Sequence, residues 1–401
     1  MRMAWSWRAW GFAAYVFAAW CWGAGLTPAM AQQDQPPGNG SWSFRVHGAH
    51  RSNSLHNGLA STLIRGGYVE DEEIQRALDR GRNRGRLGVG AGTELQWIAA
   101  GKGRYQWCGR VGVKSLADAR WSPDALGLTF FGNADRLGTY QVLNGTQLRV
   151  GQWAYAGLGR VGRMRGLRWE ALVYQAGPMT SGGIDRGYLF VSEGSDSLFA
   201  ELEGAGFQTL GSGVGAGLGA SWSWSRADLS LHCWVEVAHL GAVRYRPGQV
   251  RALAVDTLVE TTGLAISGPG LTWEGVQLPG FRDGWAEVDS TEGRWVMLPA
   301  SLEVGLGGRW GQQTWWRASA MVGDWMPWPL VTASVLSQIG KQNFAGLGVR
   351  AGGWGWVWPY AHWTFASRNL WQWQVSWEDP LSVGAGRGLG RGVTLGCQYR
   401  W

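Results

Sequence analysis

The chain has 401 residues, with 65 Gly, 30 Trp and only 16% charged residues, where average proteins carry roughly 7% Gly and about 25% charge. The mean hydropathy is nonetheless −0.16, so apolar and polar residues alternate finely instead of gathering in one greasy run, as in a membrane barrel. The formal charge of +7 comes from scattered arginines without a Lys/Arg run, which speaks against a nucleic-acid partner.

The first residues read as a cleavable export signal. Arg2 and Arg8 make a basic start, Trp10 to Ala24 an apolar stretch, and Ala29-Met30-Ala31 a small-x-small cleavage site. The apolar run is short for a retained anchor, and bulky Trp20 before Cys21 argues against lipid attachment. No other stretch reaches the roughly 18 apolar residues of a membrane helix. Three cysteines remain after cleavage, Cys108, Cys233 and Cys397, an odd and scattered set that reads as small strand side chains, not a disulfide framework.

A polar Pro/Gly-rich leader follows from Gln32 to Gly40. Trp42, Phe44 and Val46 then alternate with Ser43, Arg45 and His47 as a first strand. Next comes one helix, opened by Glu70 to Glu73, with Ile74, Ala77 and Leu78 on one face, Arg76 and Arg80 toward its end and Gly81 as its stop. It belongs in the periplasm or in the barrel mouth.

From Leu87 onward the period is two. Tyr105, Trp107, Val111 and Val113 oppose Arg104, Gln106, Arg110 and Lys114. Leu229, Leu231, Cys233, Val235 and Val237 oppose Asp228, Ser230, His232, Trp234 and Glu236. Leu302, Val304, Leu306 and Trp310 oppose Ser301, Glu303 and Arg309. After a turn at Gly311 to Gln313, Trp316, Ala318, Ala320 and Val322 oppose Arg317 and Ser319. Trp371, Trp373, Val375 and Trp377 oppose Gln372, Gln374 and Ser376. Alternation alone fits any half-buried strand. Charges deep within the polar faces and tryptophans near strand ends favour a wet lumen and an aromatic girdle. Gly177 to Gly187 and Gly263 to Gly293 break the pattern and read as long outer loops. Alternate glycines at Gly213, Gly215, Gly217 and Gly219 have the wrong spacing for a nucleotide loop and belong to one strand face.

The final strand sets Val393, Leu395, Cys397, Tyr399 and Trp401 against Thr394, Gly396, Gln398 and Arg400, ending on an aromatic residue. Val393, Leu395, Tyr399 and Trp401 are the expected assembly signal. The predicted organisation is a signal peptide over 1–31, a leader with first strand and short helix over 32–86, and an all-β transmembrane antiparallel barrel over 87–401. Even strand counts are usual, and about 14 strands, within about 12 to 16, fit the length.

The lumen-lining candidates are Glu94, Arg104, Arg110, Lys114, Glu170, Asp228, His232, Glu236, Glu303, Arg309, Arg317, Arg350 and Arg400. They either pair into a ladder that closes the lumen or line a polar path. Asp228, His232 and Glu236 recur every four residues along one strand, roughly 13 Å apart at strand rise, too far for a shared metal or a dyad. No catalytic residue, metal or cofactor is expected.

Leu63 to Glu72 (LIRGGYVEDE), Asn83 to Gly88 (NRGRLG) and Leu128 to Asn133 (LTFFGN) carry a resemblance, over Gly58 to Asp135. The region resembles an uncharacterised family of Gram-negative outer-membrane barrels, distantly similar to fatty-acid-transporter-type barrels. The resemblance implies a full-length barrel with a short helical element after the first strand, and no established activity. The expected function is a non-enzymatic channel or carrier for a small solute in the cell outer membrane. A non-conducting scaffold for an envelope secretion or surface-attachment complex is the alternative, and an envelope hydrolase the third reading. Expected partners are outer-membrane lipid, the barrel-assembly machinery and envelope proteins.

Overall fold

The computed structural model describes residues 40–65, 69–81, 84–132, 136–162, 166–194, 197–226, 228–262, 285–289, 293–367, 370–380 and 388–401. The expected signal peptide, nearly all of the leader and most of the 263–293 loop lie outside these residues. In chain order the elements are β1 (Ser41–Ser52), α1 (Asn57–Arg65), α2 (Asp71–Arg80), β2 (Gly85–Ile98), β3 (Tyr105–Trp121), α3 (Pro123–Phe131), β4 (Tyr140–Val142), β5 (Thr146–Gly162), β6 (Arg168–Ala176) and β7 (Thr180–Val191). They continue with β8 (Ser197–Thr209), β9 (Gly213–Ser225), β10 (His232–Arg244), β11 (Val250–Thr262), β12 (Trp285–Asp289), β13 (Trp295–Met297) and β14 (Ser301–Trp310). The last are β15 (Thr314–Gly323), β16 (Leu330–Gln338), β17 (Asn343–Gly352), β18 (Val357–Ala366), β19 (Trp371–Glu378) and β20 (Gly390–Arg400).

Hydrogen-bonded neighbours run from β1 through β2, β3, β5, β6, β9 and β10. They continue from β14 to β20 in sequence order. β20 then pairs back onto β1, from Ser41 opposite Arg400 to Arg51 opposite Gly390. The result is a closed antiparallel barrel of 14 strands, the count that the alternation suggested. β1, expected ahead of the barrel, is a full member of the ring.

Burial in this ring is inverted. Val173 is 61% exposed and Leu347 71%, whereas Glu170 is 0% and Glu378 2% exposed. A water-soluble sheet buries its apolar side; here that side faces outward all round the wall, as lipid contact requires. The outward faces on β3, β10, β14 and β20 are those read from the sequence, including exposed Val111, Val235, Val304 and Leu395.

Both ends of the ring are distinct. The start of β1, the end of β20 and the short turns at 99–104, 311–313 and 339–342 share one end. Exposed Trp107, Trp224, Trp310, Trp373 and Trp401 mark this end, and Arg160 lies 4.5 Å from the Trp107 ring centroid. At the seam, Trp42 meets Trp371 edge-on at 5.2 Å and Trp371 lies 4.9 Å from Tyr399.

The opposite mouth carries the helices. Ile74, Ala77 and Leu78 are the buried residues of α2, and the Gly81 N–H closes it on the Ala77 carbonyl. Of the two places expected for this helix, it occupies the mouth. Two further helices join it. Asn57, at the start of α1, donates its backbone N–H to the Gly388 carbonyl at 2.6 Å and its side-chain amide to the Gly390 carbonyl at 3.3 Å. Ser122 caps α3 by accepting from the Ala125 N–H at 3.0 Å, with Pro123 in the first turn. Leu55, Leu59, Ala77 and Trp121 bury together beneath these helices.

On one side the wall does not stop at the ring. β6 and β7 both pair with β5, Ala176 opposite Trp153 and Thr180 opposite Val150, so they are one long strand broken at 177–179. β8 and β9 break at 210–212, and β10 and β11 at 245–249. The breaks hold Gly177-Pro178, Gly211 and Pro247-Gly248, residues that cannot continue a ladder or that bend it; Gly248 has φ +73°. Beyond them β4, β7, β8, β11 and β12 make a raised sheet. The expected loop at 177–187 is therefore largely β7: cross-strand pairing with β5 and β8 overrides its Gly-rich composition. Polar backbone atoms freed at the breaks are bonded again, with Tyr245 donating to the Gly177 carbonyl at 2.8 Å and the Met179 N–H donating to Thr209 Oγ1 at 2.7 Å. Inside the bend, Met179, Tyr245, Leu298, Trp153, Tyr174 and Trp325 form a buried apolar cluster. The wet interior expected throughout is thus interrupted, because the bend turns the break residues onto one another.

Candidate functional site

Inward side chains form two charged clusters. The first begins on β3, where Arg110 donates through Nε to Glu170 of β6, and its Nη1 lies 3.7 Å from Glu94 of β2. Arg168 also donates to Glu170, at 2.9 Å, and to Gln96 at 3.2 Å. The Tyr155 hydroxyl donates to Glu94 at 2.6 Å. Gly219 makes room: a Cβ there would stand 3.3 Å from Arg110 Nη2. The alternating glycines thus serve close packing. Deeper in, the Lys114 ammonium donates to His239 Nε2 at 2.6 Å, and the His239 ring meets Tyr155 edge-on at 4.7 Å.

His239 is absent from the predicted set for a definite reason. Strict alternation from Val235 and Val237 sends it to the lipid side. The β9–β10 register shifts between Val237 and Leu240, so Ala238 and His239 together oppose Gly219. His239 takes φ +58° there, and the bulge turns it inward.

The second cluster spans β10, β14 to β19 and β1. Glu303 accepts from Arg317 at 3.1 Å and from the Trp234 indole at 3.4 Å, and the Arg317 guanidinium stands 4.2 Å from the Trp234 ring centroid. Glu378 accepts from Arg51 at 2.8 Å and from Arg350, and Arg350 stands 4.6 Å from the Tyr360 centroid. His362 Nδ1 is 2.7 Å from Ser376 Oγ, and its Nε2 is 2.9 Å from Thr364 Oγ1. Between these groups lies a small cavity of about 50 Å³, bounded by Arg317, Arg350, Tyr360, His362, Trp315 and Leu336.

The remaining candidates are spread out. Glu236 stands opposite Glu303 in the β10–β14 register. His232 stacks on Trp234 at 5.2 Å and lies 2.9 Å from the Trp224 carbonyl. Arg400 reaches Gln372 and Gln398, both at 3.5 Å, near the terminal end. Arg104, Asp228 and Arg309 stand at the short-turn rim instead of the bore. Arg104 lies over the Tyr105 ring, and Arg309 donates to the Gln312 carbonyl at 3.1 Å. Asp228 accepts from the Ser230 hydroxyl at 2.7 Å and its N–H at 3.0 Å, bonds that hold its carboxyl below the usual range. Leu231, treated as a mid-strand position by the alternation, closes this turn just before β10. The alternation stops there because Leu229 takes φ +57° in a turn that the Arg226 N–H closes on the Leu231 carbonyl at 2.9 Å.

Arg51, Arg168 and Glu378 were legible but missed. Glu378 extends the Gln372, Gln374, Ser376 face by two, Arg168 extends Glu170 backward by two, and Arg51 continues the Arg45, His47 face.

No family model matches the sequence, and no curated protein matches it. Among solved structures, the chain is similar to a deletion mutant of the TodX monoaromatic hydrocarbon channel, at 10% identity and a TM-score of 0.43, over 94% of this chain and 95% of that one. It is also similar to the β domain of the Bordetella autotransporter BrkA, at 11% identity and a TM-score of 0.31, over 91% of this chain and 99% of that one. A third likeness is to the transport unit of the autotransporter AIDA-I from Escherichia coli, at 9% identity and a TM-score of 0.30, over 97% of both. The chain is thus distantly similar to known membrane barrels. Its own fold rests on its ring of strand pairings.

Proposed function

We propose that this protein is an outer-membrane barrel that takes up a small solute in its interior and carries or passes it across the membrane. The observation that carries the reading is the inverted burial, an apolar outer wall around charged groups that border a cavity between Arg317 and Arg350. In barrels of this kind the short turns face the periplasm, so the helices and raised sheet look outward from the cell. Purified protein in liposomes tests it: solute-dependent swelling or bilayer conductance supports transport, and a tight barrel under both assays overturns it.

A second reading, a non-conducting scaffold for envelope proteins, is favoured by the raised sheet and its surroundings, where Tyr140, Leu258 and Trp295 are each more than 60% exposed. Co-purification of the same envelope proteins with the intact barrel, lost on replacing Tyr140 and Trp295 by serine, supports that reading.

A further inference from the structure

Two loops at the mouth opposite the short turns lean across the bore. Residues 324–329 join β15 to β16, and residues 353–356 join β17 to β18. Both start far from β2, β3 and β5 in the ring order, yet both end on the inward faces of those strands. Trp354 lies against Gly88 of β2, where any Cβ would collide with its ring. Its indole N–H donates to Asp118 of β3 at 2.7 Å. Trp325 lies against Gly151 of β5, where a Cβ would stand 3.1 Å from its ring. Arg120 and Arg149 donate to the Trp325 and Asp324 carbonyls at 3.3 and 3.1 Å. The Arg86 guanidinium stands 5.7 Å from the Trp328 ring centroid and 5.8 Å from that of Trp356.

The two loops are held differently. The first is anchored: Trp325 belongs to the buried apolar cluster at the bend, and Asp324 also accepts from the Ala300 N–H at 3.1 Å. The second stands on a pair of glycines. Strand pairing stops at Ala351 opposite Val357, and Gly352 and Gly353 take φ +93° and +59°. Glycine alone crosses freely between positive and negative φ, and hinges are short stretches that absorb such changes. Beyond this pair, the loop grips the far wall through Trp354 on Asp118 and Gly88, and through Trp356 on Arg86. Asp118 is fully buried, with Arg120 Nη2 3.3 Å from its other oxygen, so its carboxylate is held in place to receive the indole.

We propose that residues 353–356 are a lid over the outward mouth, hinged at Gly352 and Gly353 and latched by Trp354 on Asp118. Trp325 and its loop are the fixed frame against which it shuts. This deepens the transport reading and rests on it, since it names the regulation of entry into the same bore.

The test measures the lid's position by pulsed electron paramagnetic resonance on the full barrel in lipid nanodiscs. Cys108, Cys233 and Cys397 are replaced by alanine, and nitroxides are attached at Trp356→Cys on the lid and Leu148→Cys on the outer face of β5, both exposed positions. Trp328 still covers Arg86 in this background. The expected parent shows one dominant short distance. Trp354→Phe keeps a ring on Gly88 and removes the N–H; it raises a longer-distance population about tenfold, as loss of a bond to a charged acceptor implies. Asp118→Leu does the same, and Asp118→Asn, which keeps an acceptor oxygen, has the smallest effect of the three. Heat-modifiable gel migration establishes folding, and if Asp118→Leu fails to fold, Trp354→Phe decides alone. One unchanged distance in the folded variants makes the loop a fixed plug and overturns the proposal. Bilayer conductance of the same variants is measured separately. Lid movement without conductance counts against transport and keeps the lid, and conductance through a barrel with an unmoving loop does the reverse.

Discussion

From β14 to β20 the wall is made of strands of 8 to 11 residues; from β5 to β11 the same alternation runs through Gly/Pro breaks and out past the ring. The outward faces are apolar in both halves. Only the breaks differ, and they decide where a strand leaves the ring and what then fills the interior behind it. On the tall side the interior is packed, with Trp153 and Tyr174 at 2% exposure above the Arg110–Glu170 cluster. On the low side the Glu378 cluster borders a cavity. A packed charge network and a charge network beside empty space respond differently to the loss of one member.

The largest effect is expected on the packed side. Glu170→Leu leaves Arg110 and Arg168 buried without their shared carboxylate, and costs about 3–5 kcal/mol in urea unfolding of the lipid-embedded barrel. An effect below that of a surface change breaks the contrast. Next come the outer faces. Val304→Arg, mid-strand on the low side, costs about 2–4 kcal/mol, whereas Leu231→Arg, beside a rim turn on the tall side, costs about 0–1 kcal/mol. Equal costs in the same unfolding assay would place both at one depth and refute the register. Arg51→Met on the low side is milder than Glu170→Leu, about 1.5–3 kcal/mol, because Arg350 remains on Glu378. The smallest change is Arg104→Ala at the rim, within about 0.5 kcal/mol; a large loss of stability would return Arg104 to the bore.

Much of the wall was readable one segment at a time. β14 runs from Ser301 to Trp310 as its alternation indicated, and the turn at 311–313 follows. The helical face of Ile74, Ala77 and Leu78 was equally clear, since caps and periodicity are properties of neighbours in sequence. α3 was overlooked although Ser122-Pro123 is an ordinary helix start. The charged clusters were half visible: Glu94, Arg110, Glu170, Glu303, Arg317 and Arg350 share inward faces in the sequence, but nothing there says that Arg110 meets Glu170 or that Glu378 is divided between two arginines. His239 could not have been placed at all, because its bulge exists only against β9.

Val393, Leu395, Tyr399 and Trp401 await their own test as an assembly signal. Trp401→Ala is expected to lower the fraction of heat-modifiable, folded barrel in cells without altering the stability of the folded fraction; an unchanged yield would remove Trp401 from that role.

The sequence by itself determined which side of a regular ring strand meets lipid, because in an extended chain successive side chains point to opposite faces whatever lies beside it. Tertiary structure alone decided which strands become neighbours, where the bulge at His239 reverses the alternation, and which charges face each other across the bore. Those outcomes depend on how the ring closes, and closure is a relation among distant segments that no local pattern encodes.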